Sequence, residues 1–417
     1  MNGAAHAVRG IRANISQFSL QGAQVFFVGL IIGMERNVLP AMSHHFGVKT
    51  HAFLFLASFV MSFGFVKGAL NFVAGGLSDK LGRKRVLLYG WLAAIPVPLL
   101  IELAPNWWWV IVANVFLGIN QAFTWTMTVT SQIDLAANDQ RGLAVGINEA
   151  LGYIAVGTAG LATSYAALAY GARLTLLVFG LTTIACALLV LTRIEDTIGW
   201  VRAEHTQTRD EGQSAPPAPP WTTFKNVSFR DPTYRAICQG GVANKIADTL
   251  VWVLLPIYFK GRGLELADIG WITGLYAAVW GFAQLITGHL ADRLGRKIPV
   301  VAGFALLALA LAAVAILHTF QEWLGAAVVM GVGMALLYPN LIAAMSDLAP
   351  PLERGRILGV YRYWRDTGYA LGAILLGLVA QNTRHTAPAI WLTAALVAAS
   401  GLWIALSVRE TRGRSRS

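Results

Sequence analysis

Charge is scarce in this chain. Lys, Arg, Asp and Glu make up 13% of its 417 residues and hydrophobic residues 56%, where a soluble domain carries about 25% charge. A water-soluble fold is thereby excluded, in line with a mean hydropathy of +0.57. Cysteine is nearly absent. Cys186 and Cys238 are too few for a disulfide framework and have no metal-binding spacing. The eight histidines are scattered over loops and span ends, so no metal site is expected. No Gly-rich phosphate loop is present, which argues against ATP drive. No nucleophile–base arrangement is present either, which argues against an enzyme, and no cofactor is called for. The first nineteen residues lack a compact apolar core followed by a small-residue cleavage site, so a cleavable signal peptide is not expected.

Long apolar runs are abundant. A membrane-crossing helix needs about 20 apolar residues, and twelve stretches qualify: roughly 21–43, 52–78, 86–104, 107–131, 142–168, 172–192, 233–259, 268–291, 298–318, 322–346, 355–380 and 387–408. The expected fold class is an all-α membrane protein. One connection is long and polar and contains Pro216-Pro217-Ala218-Pro219-Pro220, so it reads as a partly disordered cytoplasmic linker. The expected parts are a six-helix bundle over 1–192, the linker over 193–232 and a second six-helix bundle over 233–417. With both termini cytoplasmic, only Lys49, Arg173, Lys260, Arg262 and Arg384 of the 32 Lys and Arg residues fall in outside segments, as the positive-inside rule requires. The net charge of +11 is therefore a topology signal. The expected surroundings are the lipid bilayer of a cytoplasmic (inner) membrane, with no nucleic acid as partner and the protein a monomer. Trp107, Trp108, Trp109 and Trp323 are expected at the outer interface, as an aromatic belt.

Gly75-Gly76-Leu77-Ser78-Asp79-Lys80-Leu81-Gly82-Arg83-Lys84-Arg85 recurs 213 positions later as Gly288-His289-Leu290-Ala291-Asp292-Arg293-Leu294-Gly295-Arg296-Lys297. Each copy joins two apolar runs through a tight basic hairpin. The same offset relates Asp134-Leu135-Ala136 to Asp347-Leu348-Ala349, Arg141-Gly142 to Arg354-Gly355, Gly118 to Gly331 and Gly146 to Gly359. The two halves are thus a repeat, which points to a site near the membrane midplane between them.

The doubled Gly-x-x-x-Asp-[Arg/Lys]-x-Gly-Arg-Lys motif, the twelve spans and the long central loop resemble the major facilitator superfamily, over nearly the whole chain. The resemblance implies two pseudo-symmetric bundles that rock to give alternating access. It further implies a gating network of Gly75, Asp79, Gly82, Arg83, Asp134 and Arg141, with Gly288, Asp292, Gly295, Arg296, Asp347 and Arg354 as counterparts. Ion pairs around helix ends that break as the halves move would serve such a step on physical grounds too. The family's proton-coupled members often carry Arg-x-x-x-Gly-x-x-x-Ala in span four. Here the frame reads Asn114, Gly118 and Ala122, and span five lacks the antiporters' proline. Any coupling must use other residues.

Glu35, Arg36, Lys67, Glu149, Lys245, Asp248, Arg362, Arg365 and Asp366 lie inside spans. Left unpaired, the set would cost on the order of 25 kcal/mol, more than the roughly 5–15 kcal/mol of net stability. They must pair or face water. Arg362 with Asp366, four apart, and Lys245 with Asp248, three apart, are expected as pairs on single helices. That would leave Arg365 for a substrate anion or for Glu149, and Lys67 for Glu35, Glu149 or substrate. Burial favours a neutral carboxyl and a nearby cation favours the carboxylate, so Glu35, Asp248 and Glu149 are the candidate proton carriers. Candidate substrate contacts are Arg36, Lys67, Asn120, Gln121, Trp125, Lys245, Tyr338, Asn340, Arg362 and Arg365, with Asn148, Tyr153, Trp252, Tyr276 and Trp280 as further aromatic and amide groups near mid-span.

The resemblance to drug-efflux members makes proton-coupled export of a small organic molecule the leading expectation. A proton symporter importing an organic anion is the alternative within the class. A sensor or assembly protein on the same fold is the alternative outside it. The complete set of gating residues in both halves argues against that last reading, since a protein that never rocks has no use for them.

Overall fold

The computed structural model describes residues 8–137, 140–200, 219–350 and 353–411. The side chains of Gly75, Asp79, Pro220, Gly288, His289, Ala291, Asp292, Arg293 and Arg354 lie outside the described residues, as do residues 201–218 of the linker. Twelve long helical segments are described: α1 (Ile15–Ala41), α2 (Phe53–Leu81), α3 (Arg83–Glu102), α4 (Trp107–Leu135), α5 (Arg141–Tyr170), α6 (Ala172–Thr192), α7 (Pro232–Gly261), α8 (Leu266–Leu294), α9 (Lys297–Ile316), α10 (Phe320–Leu348), α11 (Arg354–Thr383) and α12 (Ala387–Ser407). Among the described residues no strand is found. Eleven of the twelve are apolar enough to cross a membrane. The other, α11, is 30 residues long and carries Arg354, Arg356, Arg362, Arg365 and Asp366 in its first half. Its charges are accommodated because it packs between α2 and α7.

Packing explains which helices can hold polar groups. The most apolar stretch of α7 is 89% buried, while that of α6 is 39% buried. Large apolar side chains on α6, α9 and α12, such as Leu189, Leu309 and Leu406, point outward, where lipid would meet them. Within the first half α1 lies close on α5, because a Cβ on Gly29 or Gly33 would run into α5 backbone at Gly152 and Val156. Trp108 and Trp109 are exposed, as a belt requires. Trp107 and Trp323 are not part of it. They are fully buried, edge-on to Phe46 and Phe59 in one case and against Tyr258 and Phe259 in the other.

The halves meet through α2 with α11 and α5 with α8. The contact is close along the outer and middle parts. Gly64 and Gly68 of α2 approach Tyr369, Ala370 and Thr367, and Gly377 of α11 approaches Leu54. Gly157 of α5 approaches Gly274, and Gly270 of α8 approaches Ser164. At the outer ends the Leu54 N–H donates to Gln381 Oε1 (3.3 Å), Trp271 Nε1 to Tyr165 Oη (2.8 Å), Thr273 Oγ1 to Asn37 Oδ1 (2.9 Å) and Lys260 Nζ to the Ala41 carbonyl. The inner ends differ. Gly142 and Gly146 share a face of α5 with Tyr153, Gly157 and Ser164 by helical period, and Gly355 and Gly359 share a face of α11 with Ala370 and Gly377. All four inner glycines look into open space. The halves are in close contact at the end that holds Leu54, Tyr165 and Trp271 and parted at the end that holds Gly142, Gly146, Gly355 and Gly359.

Candidate functional site

The two helices that carry the central carboxylates are both irregular, at Glu35 in one and just after Asp248 in the other. α1 leaves regular helix after Gly33, and Glu35 and Arg36 lie in the turn before Val38–Ala41. Pro40 contributes by withholding the N–H that would bond the Arg36 carbonyl. α7 is α-helical to Thr249 and then π-helical over Leu250–Leu254. Pro256 likewise leaves the Trp252 carbonyl without its usual donor. Glu35 and Asp248 are repeat counterparts, so the break falls at the same depth in both halves. Broken helices at mid-membrane free polar groups for a site.

Asp248 is the most heavily served group. Arg36 binds it in a fork, Nη1 to Oδ1 at 2.9 Å and Nη2 to Oδ2 at 3.3 Å, across the two halves. Lys245 is 3.4 Å away, Tyr369 Oη donates at 2.5 Å and Tyr276 Oη at 3.5 Å. The expected Lys245–Asp248 pair is present, but the shorter ion pair comes from Arg36. Asp366 shows a clearer departure. Its partner is the adjacent Arg365, through Nε at 2.7 Å and Nη2 at 2.9 Å, and not Arg362. Asn71 of α2 donates to the same carboxylate, Thr126 donates to Asn71, and Arg365 Nη1 donates to Tyr338 Oη at 2.9 Å. Arg365 is therefore engaged, and the half-buried Arg362 has no hydrogen bond or ion pair among the described residues.

Among the described residues, Glu35 and Glu149 have one side-chain partner each. Asn114 donates to Glu35 at 3.4 Å, in the place where the resemblance would put an arginine, and Trp125 Nε1 donates to Glu149 at 2.9 Å. The second oxygen of each is buried with no partner among the described residues. Lys67 pairs with neither. Its ammonium lies over the rings of Phe63 and Trp125, at 5.4 and 5.3 Å from their centroids, so the Trp125 indole joins it to Glu149. The amides are placed otherwise. Asn120 donates to the Gly90 carbonyl, Gln121 to that of Val28 and Asn340 to that of Leu336. These three hold backbone together and do not converge on the central charges. Pro339 leaves the Ala335 carbonyl without an in-helix donor, and Thr287 of α8 donates to it at 2.7 Å.

The basic hairpins form two matching clusters, one in each half, at the end where the halves are parted. Arg83 pairs with Asp134 at 3.3 Å and Arg296 with Asp347 at 3.2 Å, each within its own half. Arg141 lies at the start of α5. The side chains of Gly75, Asp79, Gly288, Asp292 and Arg354 lie outside the described residues. Sequence reasoning missed two further members. Asp196 accepts the Arg83 and Lys84 backbone N–H groups, and Glu410 accepts those of Arg296 and Lys297. Each carboxylate thus sits on a helix N-terminus, where the dipole favours it. Gly82 and Gly295, at φ of +90° and +87°, are required twice over: the backbone is left-handed there, and a Cβ would strike the capping carboxylate. Thr197 and Thr411 donate to Asp134 and Asp347. The available signal was the acidic-Thr pair, Asp196-Thr197 and Glu410-Thr411, at nearly the repeat offset. Asp196→Ala and Glu410→Ala are each expected to lower stability by about 1 kcal/mol. The double variant should lose about the sum, since the sites are in separate halves. Thermal unfolding of purified protein checks this, and a double variant no worse than either single would contradict it.

Comparison with known proteins agrees with this architecture. The family model of the Major Facilitator Superfamily matches residues 24–246 and again 237–417, one match for each half. Multidrug resistance protein MdtG of Enterobacter lignolyticus (strain SCF1) is 24% identical over 394 residues, 93% of this chain and 90% of the relative. Quinolone resistance protein NorA of Staphylococcus aureus is 26% identical over 132 residues, 32% of this chain and 34% of the relative. With the twelve helices, the repeated hairpins and the central polar cluster all accounted for, the chain belongs to the major facilitator superfamily and is a membrane transporter.

Proposed function

We propose that this protein exports a small organic solute across the cytoplasmic membrane by alternating access, in exchange for protons. It would act as a monomer, with both termini in the cytoplasm and the bundles 1–192 and 233–417 rocking about the central charges. The relatives named for multidrug and quinolone resistance support the outward direction. The observation that carries the coupling is the state of Glu35 and Glu149. They are 0% and 2% exposed, and each keeps one oxygen without a partner among the described residues. A carboxyl so placed needs either a counter-charge or a proton, and a change of its surroundings between two conformations would exchange one for the other. Asp248 is a poorer carrier, since two cations and two hydroxyls already hold it.

Reconstituted vesicles of known protein orientation, with a pH-sensitive dye trapped inside, test this against a panel of cationic, neutral and anionic compounds. Proton flow opposite to a compound is the expected result. Glu149→Gln and Glu35→Gln should each reduce coupled proton flow, one of them to background, while the folded protein still binds the compound. If both keep full coupled transport, the carboxyls are not the carriers. A second reading, proton-linked import of an organic anion, draws on Lys67 and Arg362. Neither cation has an ion-pair partner among the described residues. Proton flow in the same direction as an anion would favour it.

A further inference from the structure

The chain enters α7 through a short helical segment, Pro220–Lys225 followed by a π-helical turn over Asn226–Arg230, with Asp231 capping α7. The segment has two unlike faces. Val227 and Ser228 are buried, while Trp221 is 64% and Phe229 57% exposed. Lys225 and Arg230 are exposed beside those rings. The buried face is fastened to α11. Trp364 Nε1 donates to Ser228 Oγ at 2.8 Å. The Trp364 ring lies against both Phe224 and Phe229, with centroids 6.4 and 6.2 Å away, and Tyr363 meets Phe224 edge-on.

Two large rings turned outward favour a cover other than water. The neighbouring chain has little to offer. Val201 is the one branched apolar side chain of residues 201–218, and the rest are charged, polar, Ala, Gly or Pro. A second copy meeting this face with its own is opposed by charge. Lys225, Arg230 and Arg235 are exposed, and the acid among them, Asp231, accepts the Thr233 and Tyr234 N–H groups at the start of α7. Neither Lys225 nor Arg230 has an ion-pair partner among the described residues. The repeat does not call for the rings either: 213 positions earlier Val8, Ile11 and Ser16 stand where Trp221, Phe224 and Phe229 do.

The surface that matches this face is the bilayer boundary. Aromatic rings settle at headgroup depth, and Lys or Arg beside them draws anionic headgroups. The Lys225 ammonium lies 5.4 Å from the Trp221 ring centroid, so one lipid can meet the cation with its phosphate and the ring with its chains. We propose that the segment 220–230 lies on the membrane surface and binds the headgroup of an anionic phospholipid through Lys225 and Arg230, with Trp221 and Phe229 set into the lipid. The hold falls on a moving part, because the segment is fastened to α11, which packs on α2 of the other half. The proposal depends neither on the solute nor on the direction of transport.

Fluorescence of the full-length protein tests this in nanodiscs of equal parts phosphatidylcholine and phosphatidylglycerol, with one lipid or the other brominated near the head of its chains. The Trp221 signal is the difference between the unaltered protein and Trp221→Leu. Brominated lipid is expected to quench that signal and aqueous acrylamide to leave it largely intact. Brominated phosphatidylglycerol should quench at least about threefold more than brominated phosphatidylcholine, within what two cations near an anionic headgroup supply. Lys225→Gln combined with Arg230→Gln should make the two lipids equal while Trp221 stays quenched. If acrylamide quenches Trp221 and brominated lipid does not, the segment faces water and the proposal falls. It falls too if the two lipids quench the unaltered protein alike, or if the double variant keeps the preference. Should Trp221→Leu fail to fold, a spin label on Asn226→Cys decides, with Cys186→Ser and Cys238 left in its buried place. The label should be more accessible to dissolved oxygen than to a water-soluble nickel chelate, and the reverse order overturns the proposal. None of these readouts needs transport, so this proposal and the export reading stand or fall separately.

Discussion

Gly146→Leu combined with Gly359→Leu is expected to stop transport while leaving the fold intact. The two glycines are repeat counterparts on the inner ends of α5 and α11, and both look into open space. Further out along the same faces, Gly157 meets Gly274 across the halves, and the α11 backbone at Ala370 meets Gly64. When the halves rock, the inner stretches must make the close contact that the outer ones make now. A leucine there has room in the form described here, parted at this end, and none in the form closed at it. Overpacking costs about 1–3 kcal/mol per site. The pair would therefore reduce the inner-closed population by roughly a hundredfold, which takes only about 2.7 kcal/mol in total. Flux in reconstituted vesicles should fall accordingly, and the thermal unfolding midpoint should stay close to that of the unaltered protein. Full flux in the double variant would mean that these faces never meet, and that closure uses another surface.

The second large effect concerns stability. Asp248→Asn is expected to cost about 3–5 kcal/mol, the range for stranding a buried charge, and Arg36→Gln distinctly less. The asymmetry follows from the network. Removing the Asp248 charge strands two cations, Arg36 and Lys245, both almost wholly buried, and turns one of the two acceptor oxygens into an NH2 group among donors. Removing Arg36 leaves Asp248 with Lys245, Tyr369 and Tyr276 still on it. Thermal or denaturant unfolding in detergent ranks the two. Equal losses, or a larger loss for Arg36→Gln, would show that Lys245 does not share the carboxylate. The Arg36–Asp248 fork also joins the two halves, on the side of the centre where they are in contact through Thr273 and Asn37. Arg36→Gln should therefore shift the protein toward outward opening as well as destabilise it.

Sequence alone determined whatever depends on one residue type recurring along one chain. Apolar runs long enough to cross a bilayer set the number of helices, since backbone polar groups in lipid must be satisfied within each segment. The repeat offset tied Glu35 to Asp248 and Gly146 to Gly359 before any fold was known. The hairpin glycines were legible because a left-handed backbone admits few other residues. The run at 355–380 counted as a span in the sequence; its charges put it below the other eleven in hydropathy, and it is nonetheless a 30-residue helix, held between α2 and α7.

Tertiary structure decided who partners whom. The i,i+4 rule proposed Arg362 for Asp366, yet Arg365 and Asn71 hold that carboxylate, because packing of α11 on α2 turns it toward them. Arg36 and Asp248 are 212 residues apart, and no local spacing could announce their fork. The rings nearest the Lys245 ammonium, Tyr153, Trp280, Tyr338 and Tyr369, come one from each of four helices, so they look like ordinary mid-span aromatics until the helices assemble. Helix formation is local, and sequence periodicity reports it. Compensation of buried charge is a matter of distance in three dimensions, where a partner from any helix competes equally with one on the next turn.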